Sequence, residues 1–459
     1  MRLTLKDIFE IETAEIFNPN EFKPVKKVFI DSRKITKNSM FVAIKGQNFD
    51  GHDFVKEAVN KGAGIVVINR RKLKYFDDIN VPIVTVKNTL TAYGSIARIW
   101  RRKLNPTVIS ITGSNGKTTT KEILATLLSE RFKVTKSEGN NNNQIGVPLT
   151  ILSANDKTEV LVLEHGTNHF GEIEYTAKIA EPDYAAITNI GDSHIQYLRN
   201  RSGVFKEKEA LLNVTENLGG TIFINTDDKF LASKKHKYVN AVCYGFEGSP
   251  HVKGSIVGFR KDGKSKINVK GFGKNISTVL PLLGNSNALN YLAAVTIALK
   301  LGLTKKEIIA GTRRIEPVKG RLNLVLKNGF AIIDDTYNSN PQSVKEALDV
   351  LGRIKLYKNK IVVFGDMLEL GEKSVEFHKK IKTQIRKLRP ELVLTIGKYM
   401  KFLNGELTKT GINAKHFRMR KSLEKYLEKL DVSNSIILFK GSRGMRMEEF
   451  AGKLIEREA

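Results

Sequence analysis

Short, almost wholly apolar runs recur along the chain, and the stretches between them return apolar side chains every three or four positions. In the first hundred residues the runs are 27–30, 40–44 and 65–68. A second group falls at 108–111, 160–163 and 185–188, and a third at 331–333, 361–364, 392–396 and 436–439. Apolar runs without polar alternation predict strands covered on both faces, as in a parallel sheet, and the 3.6-residue period between them predicts the covering helices. One such helix carries Ile123, Leu124, Leu127 and Leu128 on one face. A helical stretch ends in the basic run 101–105 before Pro106, and that Pro-terminated run reads as a linker.

The chain therefore divides into three α/β domains. A small N-terminal one spans 1–105, a central parallel-sheet one 106–314, and a Rossmann-like one 315–459. A length of 459 residues with 41% hydrophobic content supports several cores. One cysteine, Cys243, excludes an internal disulfide framework and fits a reducing compartment. No run of about 18 apolar residues occurs, and residues 1–7 lack the apolar stretch of a signal peptide, so a soluble cytoplasmic protein is expected. A monomer is the default expectation, although nothing in the sequence sets the oligomeric state.

Lys and Arg number 76 against 48 Asp and Glu, a net charge of +28. The basic clusters at 70–74, 234–237 and 261–266 are scattered and carry no interleaved aromatics, so no nucleic-acid track is expected. The excess reads as a solvated surface that favours anionic small substrates.

Candidate chemistry begins at Thr112-Gly113-Ser114-Asn115-Gly116-Lys117-Thr118-Thr119, between a predicted strand and the amphipathic helix. Glycines there let backbone N–H groups surround phosphate oxygens at a helix N-terminus. Lys117 can reach the terminal phosphates of ATP and the Thr118 hydroxyl can coordinate Mg²⁺. Position 111 is Ile where the longer form of such loops has glycine, so this is a shortened variant. Glu164 ends a predicted strand at the carboxyl edge of the sheet, a place for a Mg²⁺ ligand, and His194 follows the next strand. Asn287 and Asn290, three apart on a helix, suit a purine edge, with helix capping by Ser286 or Asn287 as the structural alternative. Asp335, Tyr337 and Asn338 close another strand and face a cleft.

Residues 112–119 resemble the phosphate loop of the Mur ligases, ATP-dependent amide-forming enzymes of cell-wall synthesis. Folylpolyglutamate and cyanophycin synthetases carry similar loops. The resemblance extends over essentially the whole chain. Residues 31–33, 41–46 and 50–52 are similar to the family's UDP-binding domain, which puts Ser32 at the substrate. Residues 137–148 resemble the loop against the nucleotide sugar, which implies Asn142 and Asn143 as substrate contacts. Residues 163–173 and 189–194 resemble the segments carrying the metal-binding Glu and His, and Gln196 stands where many relatives have Glu. Lys208 aligns with the family's carbamylated lysine, a further oxygen ligand for a second Mg²⁺, with Lys206 as a rival assignment. Residues 283–294 resemble the adenine segment, although Ser286 stands where the family commonly has His. Arg321 and Asp335 are implied at the nucleotide, and Asn338 at the substrate. The combination of 334–341, 365–371 and 440–443 closely resembles that of the branch joining D-alanyl-D-alanine to UDP-N-acetylmuramoyl-tripeptide. The resemblance thus implies ATP, two Mg²⁺ ions and an acyl-phosphate intermediate. A neighbouring ligase adding the third peptide residue is one alternative. A nucleic-acid-stimulated phosphate-loop ATPase is another, but it would need an arginine finger and a basic or aromatic track.

Overall fold

The computed structural model describes residues 2–193, 195–368 and 370–456 and arranges them around three sheets. The first contains β1 (Glu15–Phe17), β2 (Val28–Phe29), β3 (Ser39–Val42), β4 (Ala63–Asn69) and β5 (Ile83–Val86), in the order β1-β5-β4-β3-β2. Its strands are parallel except β1, which pairs antiparallel with β5. In β4 the side chains of Ile65, Val66, Val67 and Ile68 are all buried, as expected for a strand covered on both faces.

The segment read as a linker is instead the end of a packed helix, Thr89–Leu104. Asn88 caps its start and Asn105, in the left-handed region, ends it before Pro106. The Trp100 indole donates to the Ala154 carbonyl at 3.0 Å, and the Arg101 guanidinium to the carbonyls of Ala180 and Glu181. One apolar core joins Val42, Val67 and Val84 to Ile151, Leu161 and Leu163 of the next sheet. A basic run before proline looks like a linker only until its partners come from distant sequence.

The central sheet holds β6 (Thr107–Thr112), β7 (Val134–Lys136), β8 (Val160–Glu164), β9 (Tyr184–Ile187), β10 (Thr221–Asn225), β11 (Ala241–Gly245), β12 (Val252–Phe259), β13 (Ser265–Gly271) and β14 (Lys274–Val279). Their order is β14-β13-β12-β11-β10-β9-β6-β8-β7. The expected parallel sheet is present from β7 to β12, but β12, β13 and β14 extend it as an antiparallel arm. In β13, buried Ser265, Ile267 and Val269 alternate with Lys266, Asn268 and Lys270, so lysines on the outer face break up the apolar signal.

The third sheet runs β15-β16-β20-β17-β18-β19, with β15 (Asn323–Lys327), β16 (Phe330–Asp335), β17 (Asn359–Gly365), β18 (Leu392–Ile396), β19 (Ala414–Phe417) and β20 (Ser435–Lys440). All pairs are parallel except β15 with β16. Among the described residues no helix is long and apolar enough to cross a membrane.

Candidate active site

The carboxyl ends of β6, β8, β16 and β20 open into one cleft of about 680 Å³ between the central and third sheets. Strand β6 ends at Thr112 and the helix Lys117–Leu128 begins five residues later, with Ile123, Leu124, Leu127 and Leu128 buried as expected. Gly116 takes the left-handed turn (φ 82°) before this helix, and a Cβ there would collide with the Asn290 side chain. The loop is braced from the segment after β9. Ser114 N–H donates to the Asn189 carbonyl at 3.0 Å, and Asn115 N–H to the Asn189 side chain at 3.1 Å. Lys117 donates to the Gly113 carbonyl at 2.9 Å. Burial lowers its ammonium pKa below the usual lysine range, Glu164 opposes the shift and Arg321 adds to it. Thr119 is buried beneath the loop.

Glu164 closes β8 and is buried. Its Oε1 accepts from the Asn142 amide at 2.9 Å, whereas the buried Oε2 has no hydrogen-bond partner. A carboxylate oxygen left unpaired beside a phosphate loop fits a Mg²⁺ ion, with the Thr118 hydroxyl in the same cleft as a second hard oxygen. Among the described residues no three His, Cys, Asp or Glu side chains gather to hold a metal. His194 lies outside the described residues. Lys208, on the helix Arg201–Asn217, is 1% exposed, while Lys206 on the same helix is exposed. Burial drives the Lys208 ammonium well below its ordinary pKa; Lys117 adds to this and Glu207 opposes it. Asn143 spends its side-chain oxygen on the N–H groups of Ile145 and Gly146, starting the helix Gly146–Ser153.

Against the phosphate loop, Asn287 and Asn290 sit buried on the helix Asn285–Lys300, the Asn290 amide donating to Asn287 Oδ1 at 3.3 Å. Gly284, not Ser286 or Asn287, occupies the cap position. From the third sheet, the Arg321 guanidinium lies 4.3 Å from the Tyr337 ring centre and donates to Thr118 Oγ1 at 3.1 Å. Asn340 reaches Asn115 Oδ1 at 3.1 Å. Asp335 accepts from the Leu322 N–H and, at 2.6 Å, from Lys440. Asn338 is exposed to the cleft. Ser32 is not brought in: it is buried after β2 in the short turn Ser32–Lys34 and does not line this cleft.

Family models match in series: the Mur ligase family catalytic domain at residues 24–101, the Mur ligase middle domain at 111–298, and the Mur ligase glutamate ligase domain at 320–443. The UDP-N-acetylmuramoyl-tripeptide--D-alanyl-D-alanine ligase of Bacillus subtilis is 33% identical over 460 residues, covering 99% of both chains. The chain belongs to the Mur ligase family. The Escherichia coli ligase of the same name is 32% identical over 94% of this chain and 93% of its own. Among solved structures, MurF from Acinetobacter baumannii superposes with a TM-score of 0.89 at 29% identity, covering 100% of this chain and 99% of that one. Thermotoga maritima MurF ligase in complex with ADP gives 0.81 at 28% identity over 94% and 97%.

Three buried groups of this Mur ligase escaped the sequence reading as site residues. Glu207 accepts from the N–H groups of Gly171 and Ile173 and from the Thr167 hydroxyl, and so shapes the loop after β8. Lys440 holds Asp335 and the Asn338 carbonyl. Lys121 lies one helical turn past Lys117 with its side chain wholly buried. Glu207 and Lys121 sit next to residues that were singled out, but nothing in their own spacing marks them. Lys440 stands in a motif that was read, yet its partner is 105 residues away.

Proposed function

We propose that this chain uses ATP to join D-alanyl-D-alanine to UDP-N-acetylmuramoyl-tripeptide. The observation that carries the reading is the cleft itself: a phosphate loop on one wall bonded through Thr118–Arg321 to a wall bearing Asp335, Asn338 and Lys440. Full-length similarity to ligases bearing that name supports it.

The tripeptide carboxylate attacks the γ-phosphorus of ATP, ADP leaves, and the resulting acyl phosphate is attacked by the dipeptide amine with loss of phosphate. The loop amides of 113–119 and Lys117 hold the phosphates and stabilise charge on the transferring group. Asn287 and Asn290 hold the adenine, and Arg321 with Asp335 completes the nucleotide site. Asn142 and Asn143 contact the UDP-linked substrate in the cleft, Ser32 contacts its far end from the N-terminal sheet, outside the cleft, and Asn338 contacts the dipeptide. Thr118, Glu164, His194 and a carbamylated Lys208 would hold two Mg²⁺ ions, which when bound neutralise phosphoryl charge. A carbamate forms from CO₂ and a neutral amine, and the depressed pKa of Lys208 favours that amine. Dependence on ATP and on a nucleotide-linked substrate fits a reaction in the cytoplasm.

Phosphate release tests this. It should require both UDP-N-acetylmuramoyl-tripeptide and D-alanyl-D-alanine, and Lys117→Ala should lower turnover by roughly 10²–10³-fold. Release stimulated by DNA or RNA would favour the ATPase reading. Release with a single amino acid and a dipeptide-bearing UDP substrate would favour the neighbouring ligase.

A further inference from the structure

Lys121 is a wholly buried cation that the reaction as described does not use. It projects from the phosphate-loop helix into the place where β7 ends and the chain turns toward the asparagine run. Its Nζ donates to the carbonyls of Ser137 and, at 3.3 Å, Gly139. It lies 3.0 Å from Glu122 Oε1 and 3.9 Å from Glu164 Oε2, the oxygen without a hydrogen-bond partner. Three elements thus meet at one ammonium: the phosphate-loop helix, the segment 137–139 and the end of β8.

The loop that follows is tied back to the same point. Asn142 donates to Glu164 Oε1 at 2.9 Å, and its carbonyl accepts from Gly166 N–H at 2.7 Å. The Ser137 hydroxyl accepts from Glu164 N–H at 3.1 Å. An apolar side chain would fill the space around Lys121 with less desolvation cost. What the ammonium adds is a set of directed donors and a charge facing Glu164.

We propose that Lys121 is a positioning residue for the UDP-linked substrate: it clamps residues 137–143 to the phosphate-loop helix and holds Glu164 in register with Asn142. This rests on the ligase reading above, in which Asn142 and Asn143 contact that substrate. Lys121 bonds the Ser137 and Gly139 carbonyls directly and reaches Glu164 only at 3.9 Å, so its loss should act mainly on the UDP-linked substrate.

The test compares wild type with Lys121→Met and Lys121→Gln, the second keeping an amide donor without the charge. For Lys121→Met, calorimetric Kd and steady-state KM for UDP-N-acetylmuramoyl-tripeptide should rise roughly 10–100-fold. KM for ATP and for D-alanyl-D-alanine should stay within about twofold, and Lys121→Gln should fall between. Amide hydrogen exchange in the full-length protein without substrate should accelerate over 137–143 and not over 113–119. Equal rises in the ATP and UDP-substrate KM values, unchanged binding, or failure of both variants to fold would overturn the proposal. Wild type with no affinity for the UDP substrate would overturn the ligase reading instead, while the exchange experiment would still test the clamp.

Discussion

The two walls of the cleft share an architecture, the carboxyl ends of parallel strands, but spend their charges differently. On the third-sheet wall, Lys440 and Asp335 are buried and satisfy each other at 2.6 Å, and the backbone of Leu322 and Asn338 completes their bonding. On the central wall, Lys117 is bonded to a neutral carbonyl, and burial with the nearby Lys117 charge depresses Lys208. Lys121 on this wall is paired with Glu122, but burial outweighs the carboxylates near Lys117 and Lys208, and an anionic ligand can supply the charge those two lack. A wall that pairs its charges internally holds a shape. The difference supports the proposal that phosphoryl chemistry belongs to the central wall and docking of the amine-bearing substrate to the third-sheet wall.

Lys208 gives the largest expected effect, because the central wall's electrostatics depend on what that side chain carries. Lys208→Ala should lower turnover by roughly 10²–10³-fold while ATP binding persists, and short carboxylic acids should restore part of it. Lys206→Ala, on the exposed face of the same helix, should stay near wild type. Turnover assays with and without bicarbonate decide the matter. An inactive Lys206→Ala beside an active Lys208→Ala would shift the assignment by one pair, and two active variants would remove the carbamate.

The second wall yields a smaller, structural effect. Lys440→Met leaves Asp335 buried without its cation and should cost about 3–5 kcal/mol in denaturant unfolding. The double variant Lys440→Met, Asp335→Leu should recover most of that stability. If the pair serves only to hold shape, ligation should recover with it; if Asp335 completes the nucleotide site as proposed, stability should return while KM for ATP stays raised. If the pair also meets the dipeptide, stability should return without ligation, while calorimetric affinity for the UDP-linked substrate stays near wild type in both.

What the sequence disclosed follows the same division. The phosphate loop, Glu164 and the apolar strands were legible because each signal is contiguous: a strand, a glycine turn and an amphipathic helix within twenty residues. The burial of Lys208 against the exposure of Lys206 was not, since two lysines a half-turn apart differ only once the helix has a side to pack. Lys440 with Asp335, Glu207 with the loop 167–173, and Lys121 with 137–139 are pairings across the fold that no local spacing encodes. The lysine-bearing strand β13 hid its alternation behind charge, and the Arg101 stretch passed for a linker because its carbonyl partners lie some 80 residues on. Asn143 shows another gap, since a residue placed in a ligand loop by resemblance lines the cleft while its side-chain oxygen also starts a helix, a second role its spacing did not announce.

The smallest effect lies at the seam between the walls, where Glu346 of the helix Pro341–Arg353 accepts from the Ser286 N–H at 2.6 Å and from its hydroxyl. Burial raises the Glu346 carboxyl above its ordinary value of 4.5; the two Ser286 donors pull it back, Asp335 adds to the rise and Lys440 offsets it. Because the native state holds this proton to higher pH than the unfolded chain, the stabilising contribution is full below about 4.5 and is lost as pH rises through the folded value. Thermal midpoints measured from pH 4.5 upward should therefore carry a small downward component that Glu346→Gln removes, a change of about 2 °C or less. The same scan in Lys440→Met should show that component extending to higher pH, because the offsetting cation is gone while Asp335 stays. An unchanged slope in Glu346→Gln would detach the seam from the charge pairing of the second wall.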